Sequence, residues 1–208
     1  MDVAIDLTGV FIETERLVLR GWRADDLADL YVYASVDGVG EMAGWRRHQS
    51  LDESRKILDL FMAERDVLAL EHKRDRKVIG SIGLHVSWAN EEDAYRHLRV
   101  REVGYVLARD YWGQGLMPEA VRALVGYGFG PLDLEALTCG HFVSNSQSRR
   151  VIEKCGFRFV KHSTFFARQL QQEIADMKYI LLRSDWELGG KSDEARHPAG
   201  DARGCRGA

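Results

Sequence analysis

Three cysteines in 208 residues, Cys139, Cys155 and Cys205, are odd in number and lack the close pairs that zinc and redox motifs use. Neither a disulfide framework nor a metal centre is expected. Cys139, in an apolar strand-like run, and Cys155, near a helix end, read as small core residues rather than nucleophiles. No apolar run approaches the roughly 18 residues of a membrane span, and the acidic start MDVAID lacks the basic-then-apolar pattern of a leader. A cytoplasmic protein with no membrane partner is expected. Charge of one sign is also scarce: 29% of residues are charged, yet the formal net charge is -3, without the basic surplus that would point to nucleic acid. There is no internal repeat, no third glycine for a dinucleotide fingerprint and no GK[ST] of a Walker loop. What is present is a chain of single-domain length, 45% hydrophobic, with enough apolar residues for one sizeable core.

The hydrophobic pattern divides that chain. FIETERLVLRGW alternates through Leu17 and Leu19 and predicts a half-buried opening strand over 11–22. RADDLADLYVYAS predicts a first helix, with Asp25 and Asp26 in the first turn and Leu27, Leu30, Tyr31 and Ala34 on the inner face. A second helix starts at Ser50, where Glu53 completes a capping box, and carries Ile57, Leu58, Phe61 and Met62 as its stripe. Between the two lies an irregular segment in which Trp45, Arg46, Arg47 and His48 read as an exposed cluster. A hairpin over 67–71 and 78–86 follows, then the polar interruption ANEEDAYRHL, a strand over 100–108 and a helix through Glu119, Val121, Leu124, Val125 and Phe129. LEALTCGHFV is a further strand, and NSQSRRVIEKCGF is a short helix closed by Gly156. Strands over 157–166 and 173–182 complete the order. After Trp186 the composition is too polar to repay the entropy of ordering. The pattern is an α+β protein with a mostly antiparallel sheet and one strand-helix-strand crossover after Ala108.

One junction in this order is over-built. In RDYWGQGLMPEA, Gly113 and Gly115 stand where a strand hands over to a helix. A helix start offers unpaired N–H groups and the positive end of a dipole, and glycines let several of those groups point at one place. The segment therefore reads either as a cradle for a pyrophosphate or as a plain turn, and GxG alone does not decide. In NSQSRRVIEKCGF, Asn145, Ser148 and Ile152 share one helix face, while Arg149 and Arg150 point elsewhere. Asn145 is suited to cap that helix, and Ser148 has no such structural task. His85 and His141 read as satisfied histidines of a core or sheet edge, with a proton relay as the alternative.

Together, EVGYVLA followed by YWGQGLMPEA, and then NxxSxxVxEKxGF, resemble the acetyl-CoA signature of the GNAT superfamily of N-acetyltransferases, in particular its ribosomal-protein N-terminal (RimJ/RimL-type) branch. The resemblance extends to TERLVLRGW, KVIGSIGLH and MKYILLRSDW and covers residues 11–187 in order, with 87–98 as an insertion, 1–10 as a flexible start and 188–208 as an unordered tail.

The resemblance implies a GNAT-like mixed sheet of about seven strands, flanked by about four helices and splayed between the fourth and fifth strands. It implies acetyl-CoA as cosubstrate, no metal, and acetyl transfer to a primary amine by direct attack in a ternary complex, the acceptor being a protein N-terminal α-amino group. Antibiotic or polyamine acetylation, and a non-catalytic acyl-CoA sensor, are the alternatives. Dimers are common among relatives, which leaves a homodimer open. Backbone of Tyr105, Val106 and Leu107 would pair with the pantetheine arm, and Trp112, Gly113, Gln114, Gly115, Leu116 and Met117 would hold the pyrophosphate. Asn145 would hydrogen-bond the arm. Asp110 stands where many relatives carry Gln or Arg, so only backbone is expected to bind there. Glu102 resembles the position of the base, the Val106 N–H would serve the oxyanion, and Ser148 would address the leaving sulfur, since Ile152 occupies the position where many relatives carry a tyrosine.

Overall fold

The computed structural model describes residues 3–196, with side chains described through residue 189. Cys205 lies outside the described residues. The chain forms an α+β fold around one eight-stranded sheet. The strands are β1 (Phe11–Glu13), β2 (Leu17–Arg20), β3 (Val67–His72), β4 (Lys77–His85), β5 (Val100–Leu107), β6 (Ala136–Phe142), β7 (Arg158–Ala167) and β8 (Gln172–Leu182), in the order β1-β2-β3-β4-β5-β6-β8-β7. Every neighbouring pair is antiparallel except β5 and β6, which are parallel. A parallel pair needs a crossover, and helix α3 (Leu116–Phe129) supplies it.

The expected opening strand is in fact two. β1 and β2 pair across a tight turn in which the Thr14 N–H donates to the Leu17 carbonyl at 2.9 Å. Glu119 of α3 holds that turn, accepting from Thr14 Oγ1 at 2.6 Å and from the Arg16 N–H at 2.8 Å. This extra strand makes the count eight, so the splay expected between the fourth and fifth strands falls between β5 and β6.

Helices α1 (Leu27–Ala34) and α2 (Leu51–Glu64) cover one face of the sheet; α3 and α4 (Ser146–Lys154) cover the other. Ser50 caps α2 as predicted, its hydroxyl accepting from the Glu53 N–H. In α1 Leu27, Leu30 and Ala34 are buried as expected, and the inner-face aromatic is Tyr33 rather than Tyr31. Arg20 is buried at the foot of this layer, its guanidinium bidentate to Asp26 at 2.8 Å and bonded to Glu71 at 2.7 Å. Removing one partner from such a buried pair costs about 3–5 kcal/mol, so these residues anchor α1 to β2 and β3. On the other face Leu17, Leu19, Leu70, Ile82, Leu84 and Leu124 are almost fully buried, each worth about 1.5–3 kcal/mol of transfer energy.

The interruption over 87–98 is packed rather than loose. Ala89 is fully buried against Val100, Ala136 and Ile180, with Trp88, Tyr95 and Leu98 around it. At the ends, Leu7 and Val10 are buried and the Leu7 N–H donates to the Arg65 carbonyl at 2.8 Å, so the segment before β1 belongs to the core. Helix α5 (Arg183–Arg196) runs through the start of the expected unordered tail. Its first turns are tied down by Trp186 against Phe129 and by ion pairs from Arg183 to Asp133 and from Arg158 to Asp185. No described helix is long and apolar enough to cross a membrane.

Candidate active site

The parallel pairing of β5 with β6 runs only from Val100↔Ala136 to Val103↔Cys139. Beyond it, the β6-facing edge of Gly104 to Leu107 has no strand partner, and a cleft opens there. Register fixes which backbone groups face it. The Ala108 N–H donates to Ile79 of β4 at 2.7 Å, so by antiparallel alternation the N–H groups of Val106 and Gly104 also turn toward β4. Tyr105 and Leu107 therefore present their backbone to the cleft. The expected use of the Val106 N–H inside the cleft is overturned by this register. One gap-facing acceptor is already used: Trp112 Nε1 donates to the Leu107 carbonyl at 2.7 Å.

At the upper end of the cleft α3 begins. Gly113 and Gly115 both adopt left-handed backbone, φ 76 and 78, and Gly115 is the N-cap residue. Among the described residues none accepts a hydrogen bond from the N–H groups of Gly113, Gln114, Gly115, Leu116 or Met117. The next residue, Pro118, has no N–H to offer. Trp112, expected in the same set, is not free: its N–H closes a turn on the Arg109 carbonyl at 3.1 Å. Arg16 braces the loop from below, donating to the Gln114 carbonyl at 2.8 Å and pairing with Glu119. Five unpaired donors at one helix start make a fitting seat for an anion.

A cavity of about 450 Å³ runs from this seat along the β5 edge to α4, with Asn145, Ser148, Arg150, Val151 and Lys154 on its far wall. Arg150, expected to point elsewhere, thus faces the cavity together with Lys154, because the wall is the flank of α4 and not only the Asn145–Ser148–Ile152 face. Ile152 is buried below it in the core. Arg149 does turn away, pairing with Glu153 at 2.8 Å. Asn145 caps α4, accepting from the Ser148 N–H at 3.0 Å, and its amide donates to the Met42 carbonyl at 3.3 Å, which leaves one donor hydrogen.

A second cavity, about 740 Å³, opens on the other side of the same cleft. Trp45 and His48 line it, so the cluster expected at the surface is split: the two rings face inward, while Arg46 and Arg47 turn out toward Glu53 and Asp37. His48 is buried, bonded through Nδ1 to Ser54 Oγ at 2.7 Å, and burial lowers its pKa. Glu102 lines the cavity from β5. Burial raises its pKa, against the opposing pull of Lys178 at 3.9 Å, and one oxygen accepts from the Trp88 N–H at 3.5 Å. Lys178 is paired more closely with Asp176, at 2.9 Å. His141 behaves as a satisfied histidine, with Nδ1 on the Phe142 carbonyl at 2.8 Å and Nε2 on Tyr179 Oη at 3.2 Å. His85, at the end of β4, is exposed at the cavity wall, with Nδ1 3.4 Å from Asp66 Oδ2.

The two cavities share Met42, Ala43, Tyr105 and Ser148. At that junction Tyr105 Oη lies 2.8 Å from Ser148 Oγ. Burial raises the Tyr105 pKa well above that of a free phenol, so the ring stays neutral and can donate to the serine, freeing the serine hydrogen for a third group. Sequence reasoning used only the Tyr105 backbone; its hydroxyl partner lies 43 positions away, and no local pattern reports it. Cys139 and Cys155 are buried free thiols, the latter pushed up to about 11 by burial, as core cysteines should be.

A model of the acetyltransferase (GNAT) domain matches residues 16–158. The uncharacterized N-acetyltransferase YoaA of Bacillus subtilis (strain 168) is 28% identical over 152 residues, 71% of this chain and 82% of that protein. A GNAT-family acetyltransferase from Bacillus anthracis superposes with a TM-score of 0.72 at 21% identity, over 84% of this chain and 99% of its own. The ribosomal-protein-S5-alanine acetyltransferase from Vibrio fischeri superposes with a TM-score of 0.63 at 18% identity, over 85% of this chain and 98% of its own.

Proposed function

The chain belongs to the GNAT acetyltransferase family, and on that premise we propose that it moves acetyl from acetyl-CoA directly to a primary amine, a protein N-terminal α-amino group, with both substrates bound at once. The observation that carries this reading is the meeting of two cavities at Tyr105 and Ser148. The smaller one fits the cosubstrate. Its free N–H groups from Gly113 to Met117 suit a pyrophosphate, Arg150 and Lys154 add positive charge along the wall, and the open β5 edge at Tyr105 and Leu107 offers strand-like hydrogen bonds to an extended amide chain. When bound, acetyl-CoA supplies the acetyl group as an activated thioester.

The remaining work falls to this chain's own side chains. An ammonium must lose a proton before its nitrogen can attack, and of the carboxylates lining the acceptor cavity Glu102, on the same strand β5 as Tyr105, is the one assigned to receive it. Its raised pKa brings it nearer to neutrality than an exposed carboxylate and so makes it a better base. Ser148, oriented by Tyr105, presents a hydroxyl at the junction to hydrogen-bond the leaving sulfur. The N–H groups that can meet the developing oxyanion are those of Tyr105 and Leu107, which face the gap.

A protein N-terminus is supported by the RimJ/RimL-type motifs and by the likeness to the ribosomal-protein-S5-alanine enzyme. A small cationic amine is the second reading, favoured by the surplus of carboxylates over cations in the acceptor cavity: Glu91, Glu102 and Asp176 against Lys178. Release of CoA with a panel of N-terminal peptides and small amines, with mass analysis of the products, separates the two. Binding of acetyl-CoA without turnover on any amine would instead favour a silent sensor and sink the enzyme reading.

A further inference from the structure

His85 ends β4 directly across from Glu102 on β5, and both line the acceptor cavity. Side chains at directly opposed positions lie about 4.5–5.5 Å apart at their Cβ atoms, close enough to hand a proton across, directly or through one water. The sheet is shaped to keep the imidazole there. A Cβ at residue 104 would stand 2.8 Å from His85 Cδ2 and 2.9 Å from Nε2, so Gly104 leaves the space that the ring occupies.

The other side of the ring is held by a carboxylate. Nδ1 of His85 is 3.4 Å from Oδ2 of Asp66, and contact with His85 holds the Asp66 carboxyl below the usual range. Asp66 is itself fixed in place, since its carbonyl accepts from the Leu84 N–H at 2.9 Å. Facing Asp66, Nδ1 carries the hydrogen and Nε2 keeps its lone pair on the side of Gly104 and the cavity. The His85 side chain is 46% exposed, whereas that of Glu102 is 21% exposed and is held between the Trp88 N–H and Lys178. A proton taken up by Glu102 has to leave before the next turnover, and the half-exposed neighbour is the group with both a free ring nitrogen and access to solvent.

We propose that His85, positioned by Asp66, carries the acceptor's proton from Glu102 to solvent. This rests on the reading of Glu102 given above. The N–H bond of the ammonium breaks with its electron pair staying on nitrogen, and the proton bonds to a Glu102 oxygen. It then passes to His85 Nε2, and the imidazolium returns to neutral by giving a proton to water or buffer. The charged and titratable groups around this path are Asp66 on Nδ1, Glu102 across the strand pair, Glu91, Asp176, Lys178, His48 and His141 on the cavity wall, and Arg101 acting on Asp66.

The test is the pH profile of amine-dependent CoA release in the full-length protein and in its His85→Ala and Asp66→Asn variants, with and without added imidazole. The relay predicts a fall of about a hundredfold for His85→Ala at neutral pH, recovered in large part by imidazole. Asp66→Asn should fall less than His85→Ala, because the imidazole stays in place but loses the carboxylate beside its Nδ1. A His85→Ala protein with wild-type rate and profile overturns the proposal. So does a loss in His85→Ala that imidazole does not repair, which is the mark of a structural role. Glu102→Gln measured alongside keeps the two readings apart: unchanged turnover there removes Glu102 as the base, and the relay falls with it, whereas a Glu102 loss with a silent His85 removes the relay alone.

Discussion

The two cavities that meet at Ser148 are built from different materials. The cavity proposed to hold the cosubstrate is mostly main chain: a strand edge left open by the β5–β6 splay and five unpaired N–H groups at the start of α3. The acceptor cavity is mostly side chain, gathered from α1, the segment before α2, β4, the turn after it, β5, β6 and β8. A backbone site fixes one ligand shape and tolerates change in side chains, provided the conformation survives. A side-chain site changes its ligand with each substitution. One fold can thus keep a common donor while its acceptors diverge.

Substitutions that separate the two sites sharpen this contrast. The largest effect is expected from Glu102→Gln, which should lower kcat/KM for the amine about 10²–10⁴-fold while leaving acetyl-CoA affinity unchanged in calorimetry. An equal loss of acetyl-CoA affinity would break the division between the sites. The converse change is Gly115→Val. Residue 115 sits at φ 78, where a side chain costs about 1–2 kcal/mol, so acetyl-CoA should bind about 5–30-fold more weakly. The KM for the amine should move little.

Smaller effects belong to the junction. Ser148→Ala and Tyr105→Phe each remove one neutral hydrogen bond, worth about 0.5–1.5 kcal/mol, and should lower kcat about two- to twelvefold with both KM values nearly unchanged. If they act as one unit, the double variant should be little worse than either alone. Full multiplication of the two losses would separate them.

The smallest effect concerns stability. Burial raises the Glu102 pKa in the fold, so its favourable contribution is complete below the unfolded value, where the carboxyl is neutral in both states, and is lost as pH rises through the folded value. Glu102→Gln should therefore melt with the wild type below about pH 4 and above it at neutral pH. Lys178 keeps Asp176 at 2.9 Å in either case. A variant that melts lower at neutral pH would show that the Glu102–Lys178 contact outweighs the burial cost.

The same contrast explains what could be read in the sequence. The geometry of the proposed slot was legible because its parts are contiguous: YWGQGLMPEA encodes the left-handed glycines and the helix start in one stretch, and NSQS encodes the cap of α4. The order of elements was legible too, since alternation and helical spacing are local signals. The splitting of the opening strand was missed because the turn at Thr14 to Arg16 is held by Glu119, more than 100 positions away. Arg150 faced the slot because the cleft wall takes in the flank of α4. Lys178, which lines the cavity from β8, and Asp66, which meets His85 from the segment before β3, have no sequence signature, since only the tertiary fold brings them to the site. The inward turn of His48 likewise depends on a partner, Ser54, a buried residue of α2.

The central claim is that donor and acceptor sit in adjoining cavities and react directly. It is tested most directly by initial rates of CoA release measured while acetyl-CoA and an active amine from the panel are varied together. Lines that intersect in double-reciprocal form, with no acetyl group left on the protein after exposure to acetyl-CoA alone, are the predicted result. Parallel lines accompanied by an acetylated protein would contradict it.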